Sequence, residues 1–283
     1  MASRFVETAS SRKLHCLQTG DPKGQLIICL HGLGGSTETF KPLLPSLPQS
    51  YNIVCLDFPG FGASPALAER PTVASYVSDL HDVVTFFQAV DECPQDSPKL
   101  KVVLLGHSLG SAIVLHFSAQ YPSLVAANCL LGATRSASHI PAVRARMLDM
   151  AKNTREKGAA WAAELASRSN FPPPEMRDVG EELRKEVYDA VAASDAEGYA
   201  LTCEMMADES HKDPDYTKIK CPVLLIAGDL DVISPVERSK GLVDIIGSDL
   251  CTLEIVKSGH QPIVEEPDAV ARAVGQLLQR IQA

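Results

Sequence analysis

The stretch LLGHSLGSA, Leu104 to Ala112, decides the fold. A run of aliphatic residues ends on a serine between two glycines, and a helical pattern follows without a linker. A short buried strand needs no such sharp exit, whereas a serine held at a strand-to-helix corner for chemistry does. The turn forces Ser108 into a tight backbone conformation, and Gly106 and Gly110 let neighbouring backbone pass without a Cβ clash. The corner aims the hydroxyl away from the sheet and puts the Leu109 N–H at a helix N-terminus, where the field favours negative charge. Gly106-His107-Ser108-Leu109-Gly110 is therefore read as a nucleophile turn rather than as a helix N-cap.

A serine hydroxyl is a poor nucleophile until a base takes its proton. In the chain order serine, acid, histidine, the base belongs on the loop after the last strand, and VKSGHQPIVEEP places His260 there. His31 and His107 are tied to their own turns, while His81 and His116 read as ordinary helix residues. The acid belongs after a late strand, where it holds the imidazole tautomer and stabilises the imidazolium. LLIAGDLDVISP offers Asp229 and Asp231. Asp231 reaches further past the strand end and is the expected acid; Asp229 is expected to cap the turn. An acyl-transfer site also needs two donors for the developing oxyanion. Leu109 N–H supplies one, and the glycine-rich loop HGLGGSTETF supplies the other from Leu33, with Gly34 as the alternative. Asp57, in LDFPGFGASP, reads as a turn-holding carboxylate, with Phe58 and Phe61 near the pocket.

Outward from this corner, short aliphatic runs alternate with helical patterns, the signature of a parallel sheet built from βα units. Strands are expected at 25–32, 51–58, 100–107, 126–132, 221–228 and 250–256, and helices at 73–90, 111–121 and 267–283. Glu92 to Lys99 reads as a turn-rich connection. Between 134 and 216 no strand-like run occurs, and the segment is far longer than a simple crossover. It is expected to be a helical cap inserted into an α/β core made of 1–133 and 217–283. Trp161 and Met205 of the cap, with Gly34 and His107 of the core, are expected to line the pocket beneath it.

The totals bound the partners. With 26 basic and 35 acidic residues the formal charge is −9, which offers no basic stripe to a nucleic acid. No run reaches the roughly 18 apolar residues of a membrane span, and the first residues lack a secretory pattern. The eight cysteines show no C-x-x-C pair and several sit inside aliphatic runs, as small buried hydrophobes do. A cytoplasmic protein with no metal or disulfide framework is the expectation, as a monomer or homodimer.

HGLGGS, DFPGFGASP, GHSLGS, AGDLDVISP and GHQPIVEEP, spread over most of the chain, resemble in kind and order the motifs of the α/β-hydrolase superfamily. That resemblance implies a mostly parallel sheet of about eight strands flanked by helices. It also implies a Ser108–Asp231–His260 triad, an oxyanion hole at Leu33 and Leu109, a lid in the insertion, and no cofactor. Residues 199–231 further resemble the lid-to-strand passage of 3-oxoadipate enol-lactonases, while GHSLGS with HGLGGS is commoner among general carboxylesterases. An enol-lactone substrate carries a carboxylate, for which Arg135, Arg144 and Arg146 are the candidate partners. The expected activity is cleavage of a small, largely apolar ester or lactone. C–C hydrolysis of a diketone, or ligand sensing with slow turnover, could use the same triad.

Overall fold

The computed structural model describes residues 1–90 and 101–282, so the connection expected at 92–99 lies outside the described residues. The strands are β1 (Ala2–Glu7), β2 (Lys13–Gly20), β3 (Leu26–Leu30), β4 (Asn52–Leu56), β5 (Val102–His107), β6 (Val125–Leu131), β7 (Val223–Gly228) and β8 (Cys251–Val256). They form one eight-stranded sheet in the order β1-β2-β4-β3-β5-β6-β7-β8. Pairing is antiparallel for β1 with β2 and β2 with β4, and parallel from β4 onward.

The helices are α1 (Val73–Val90), α2 (Leu109–Gln120), α3 (Pro141–Lys157), α4 (Ala159–Ser169), α5 (Glu181–Ala192), α6 (Ala196–Met206), α7 (Val236–Ile246), the single turn α8 (Pro262–Glu265) and α9 (Pro267–Gln282). Every residue of β3, β4, β5 and β7 is buried, because helices cover both faces of the sheet. Strand alternation sorts their side chains into two cores: Ile28 and Leu30 join α1 and α2, whereas Ile27 and Cys29 face α9. Helix α9 answers with Val270, Ala273, Val274, Leu277 and Leu278, one apolar stripe at helical spacing.

β1 and β2 fall outside the strands expected from the aliphatic runs. They form an edge hairpin in which β1 buries only Val6, while β2 alternates buried Leu14, Cys16 and Gln18 with half-buried His15, Leu17 and Thr19. Polar residues hide that alternation in KLHCLQTG. The expected helix at 111–121 starts two residues earlier, at Leu109, because the helix begins directly behind the serine.

In register, Leu30 stands beside Gly106, His107 beside Leu131, and Gly228 beside Val256. The parallel strands therefore end along one edge, and the loops at 31–36, 108, 132–134, 229–234 and 257–261 gather there. Helices α3 to α6 are inserted between β6 and β7 and lie over this edge. Core and insertion touch backbone to backbone, among other places, where Asp195 N donates to Gly60 O at 3.0 Å. A Cβ placed on Gly198 would come within 2.7 Å of Gly60 Cα, so only glycine fits this contact. Among the described residues no helix is long and apolar enough to cross a membrane.

Candidate active site

Ser108 occupies the turn between β5 and α2 with φ 50° and ψ −114°, a region L-residues rarely adopt. The flanking glycines are what let the corner close. A Cβ on Gly106 would lie 2.6 Å from Gly110 O, and one on Gly110 would lie 2.2 Å from Leu30 O. The strained turn is pinned by Ser108 N donating to Leu131 O at 2.9 Å and Thr134 Oγ1 donating to Ser108 O at 2.9 Å.

Three side chains from three strand ends meet at this corner. His260 Nε2 lies 2.9 Å from Ser108 Oγ, and His260 Nδ1 lies 2.8 Å from Asp231 Oδ2. With Nδ1 protonated against the carboxylate, Nε2 remains the acceptor for the serine hydroxyl. Asp231 Oδ1 accepts from Ile233 N and Ser234 N, each at 2.8 Å. Burial pushes the Asp231 carboxyl up, but the bond and charge of His260 and these two amides outweigh it and hold the group below its ordinary range. Gly132 follows β6 with φ 52°, and a Cβ there would stand 3.0 Å from His260 Nδ1. Its absence leaves room for the imidazole.

Asp229 keeps backbone hydrogen bonds at its own turn, accepting from the amides of Ser258 and of Asp229 itself, and adds a second role. Its carboxylate takes Arg177 Nη1 at 2.9 Å and Nη2 at 2.7 Å, a two-pronged tie to the insertion that draws the Asp229 carboxyl below its ordinary range. Asp57 accepts from Thr37 N at 2.5 Å and Ala63 N at 2.9 Å, holding two loops together as a turn carboxylate does.

The loop after β3 brings backbone amides to the serine. Gly35 N donates to Gly32 O at 3.0 Å, closing a turn in which Gly34 takes φ 77°. The two central amides of such a turn, Leu33 and Gly34, take no part in the closing bond. Gly32 lies so close that a Cβ on it would sit 3.1 Å from Ser108 Cβ. On the other side Leu109 is the first residue of α2, and its amide has no acceptor within the helix. His31 fastens this loop: Nδ1 donates to Gly32 O at 2.7 Å and Nε2 accepts from Phe58 N at 3.0 Å. Burial lowers the His31 pKa, which suits a neutral ring with one donor and one acceptor. Sequence reasoning saw His31 only as tied to its turn. Its place directly before the HGLGGS glycines was the available signal.

A cavity of about 740 Å³, within the size range of small-molecule sites, opens against the loop after β3. It reaches His107, the residue before the serine, while Ser108 and His260 themselves are not among its lining residues. Its lining includes Leu33, Gly34, His107, Val187, Val191 and Gln261. Gly34 and His107 thus sit where the pocket was expected, but Trp161 and Met205 are not among the lining residues. Met205 is buried in the larger core, and Trp161 packs against that core with Lys157 Nζ 5.2 Å from its ring centroid. Helices α3, α4 and α6 turn these apolar groups inward to hold the insertion together, leaving α5 to face the cavity through Val187 and Val191. Those two valines, one helical turn apart in the charge-rich EELRKEVYDAVA, were the overlooked signal. Phe58 and Phe61 are likewise buried away from the cavity, Phe58 stacked on Tyr76 at 4.8 Å. Arg135 is bound to Asp213 at 2.7 Å, and Arg144 pairs with Glu209 and donates to Ala207 O, so neither faces the cavity. Arg146 is not among the lining residues either.

The sequence profile described as "Alpha/beta hydrolase family" matches residues 27–273. The chain belongs to this family. Among curated proteins, 3-oxoadipate enol-lactonase 2 of Acinetobacter baylyi is 27% identical over 274 residues, covering 96% of each chain. A 2-hydroxy-6-oxo-6-(2'-aminophenyl)hexa-2,4-dienoic acid hydrolase of Metapseudomonas resinovorans is 26% identical over 285 residues, covering 98% of this chain and 91% of that one. Among solved structures, a thermophilic esterase from Thermogutta terrifontis superposes over the whole of both chains with a TM-score of 0.85 at 21% identity. That likeness is one of fold.

Proposed function

We propose that this hydrolase is a serine carboxylic ester hydrolase, cleaving a small, largely apolar ester or lactone through an acyl-enzyme on Ser108. The observation that carries the reading is the unbroken chain Ser108 Oγ–His260–Asp231, with both links under 3 Å. His260 takes the Ser108 proton as Oγ attacks the substrate carbonyl. The Leu109 amide and an amide of the Leu33–Gly34 turn receive the oxyanion, each donor contributing roughly 3–4 kcal/mol at the transition state. His260, its charge balanced by Asp231, then protonates the leaving alcohol, and water repeats the cycle on the acyl-enzyme. The chemistry calls for no cofactor. The insertion acts as the cap, closing the acyl cavity with the valines of α5.

Among ester substrates, the cavity's charges favour uncharged ones over the carboxylate-bearing lactones of the enol-lactonase relative. Its lining carries Glu38 and Lys41, paired at 3.1 Å, Asp189, paired with Lys185 of the same helix at 2.5 Å, and Glu186. The one lysine of the lining is thus already matched by a carboxylate, and no arginine is among the lining residues. The test is a comparison of initial rates for p-nitrophenyl esters of increasing acyl length and for γ- and δ-lactones. Fast turnover with an optimum at one short acyl length is expected. Full hydrolysis by pure Ser108→Ala protein would overturn the triad assignment.

A further inference from the structure

The loop that carries His260 is held by more than the triad. Three consecutive backbone amides, at 259, 260 and 261, each have a specific acceptor. Gly259 N donates to both carboxylate oxygens of Glu265, at 2.9 and 3.0 Å, and Gln261 N donates to Glu265 Oε1 at 3.3 Å. His260 N, between them, donates to Asn170 O of the insertion at 2.7 Å. The His260 carbonyl accepts from His107 Nε2 at 2.7 Å, which ties the base to the residue beside the nucleophile.

Resting on the triad reading above, we propose that Glu265 is a positioning residue for catalysis: its ionised carboxylate grips the amides on either side of His260 and so aims the imidazole at Ser108. An ionised carboxylate can accept from both amides at once. A protonated carboxyl gives up part of that capacity to its own O–H, and the loop loses one of its fixings. Small departures from the productive geometry are costly, a shift near 1 Å lowering rates by up to about 10²-fold.

The electrostatic setting makes the grip sensitive to pH. Burial drives the Glu265 carboxyl up to about 7, although the Gly259 and Gln261 amides pull it down. The charged groups facing it are Arg177 of the insertion, which favours the anion, and Asp231 of the loop after β7, which opposes it. Arg177 is itself held by Asp229, so the insertion and the loop after β7 converge on this carboxylate. The anion that grips the loop is then lost as pH falls through about 7.

The test is Glu265→Gln, assayed across pH with a p-nitrophenyl ester and, independently of any substrate choice, by the rate of Ser108 labelling with a fluorophosphonate. The expected result is a kcat lowered about 10- to 100-fold with KM within about twofold, and slower labelling by a similar factor. The acid limb of kcat/KM should steepen towards two protons in the wild type and fall to one in the variant, because the variant has no carboxyl at 265 to take up the second. Glu265→Asp, charged but one methylene shorter, should retain a two-proton limb at reduced kcat. If Glu265→Gln fails to fold, the wild-type limb and Glu265→Asp still decide: a one-proton wild-type limb overturns the proposal. So does a folded Glu265→Gln with wild-type kcat and labelling rate. Ser108→Ala in the same assays keeps the two readings apart, since activity surviving there overturns the triad itself, not the grip on its histidine.

Discussion

At the scale of single residues, the proposed chemistry rests on a serine, Ser108, in a backbone conformation that favours glycine. Ser108→Ala keeps that backbone and removes only the nucleophile, so kcat should fall by about 10⁶. Its melting temperature should stay within a few degrees of wild type, as calorimetry on the pure variant would show. Gly132→Ala is the more instructive change. The new Cβ would stand 3.0 Å from the His260 ring at a φ of 52°, so it should turn the imidazole and lower kcat about 10-fold or more. KM for a short ester should move little, and steady-state kinetics separates the two parameters. Ser108, Asp231 and His260 are legible in sequence because each sits in a local pattern of glycines and strand ends, and the fold brings them within hydrogen-bond reach. Glu265 and His31 act through bonds to backbone, and a sequence gives no sign of which amides a carboxylate or an imidazole will find. Trp161 and Met205 pack with the larger core and do not line the cavity against the β3 loop, for a related reason. Apolar character says that a helix residue is buried, not whether it faces a cavity or its neighbouring helix.

At the scale of elements, the central strands are legible as continuous aliphatic runs, and their ends lie within about two residues of expectation. The β1–β2 hairpin is not, because an edge strand solvated on one face mixes polar residues into its period. His116 proves to be more than an ordinary residue of α2. Its Nε2 lies 3.0 Å from Nε2 of His211, in the segment that returns from the insertion to the core. Burial and the neighbouring His211 lower the His116 pKa to about 4, and burial also lowers that of His211, with Asp213 opposing in both. The unfolded chain, with ordinary imidazoles near 6.5, therefore takes up protons first on acidification. The stability that this neutral pair brings is complete above about pH 6.5 and drains away as pH falls towards 4. Thermal melts from pH 7 to 4.5 should show a smaller fall for His116→Gln than for the wild type. A second element-level outcome concerns the meeting of Gly198 with Gly60. Gly198→Ala forces the start of α6 away from the core and should cost about 1–3 kcal/mol by denaturant titration.

For the whole molecule, the charge of −9 is not merely diffuse, since acidic groups rim the cavity. For two esters that differ only by a carboxylate on the acyl chain, the anionic one should show a kcat/KM lower by about 10-fold at low salt. The gap should narrow towards 0.5 M salt as the field is screened, which initial rates at several ionic strengths would reveal. The layout of the molecule also separates two kinds of alteration. The face of α5 meets the cavity through Val187 and Val191, whereas Asn170 lines the cavity and also, with Pro172 and Arg177, lies against the loop of His260 or against Asp229.

The bond from Asn170 to His260 has an evolutionary consequence. A hydrolase that acquires new substrates must vary the walls of its pocket while keeping its base in line. Under the proposed function, one short segment, 170–177, braces the loop of the base, and one helix, α5, lends its valines to the cavity wall. Variants selected for new acyl groups should accumulate substitutions at Val187, Ala190 and Val191 and leave Asn170 to Arg177 almost untouched. The lineage can thus change its diet without relearning its chemistry.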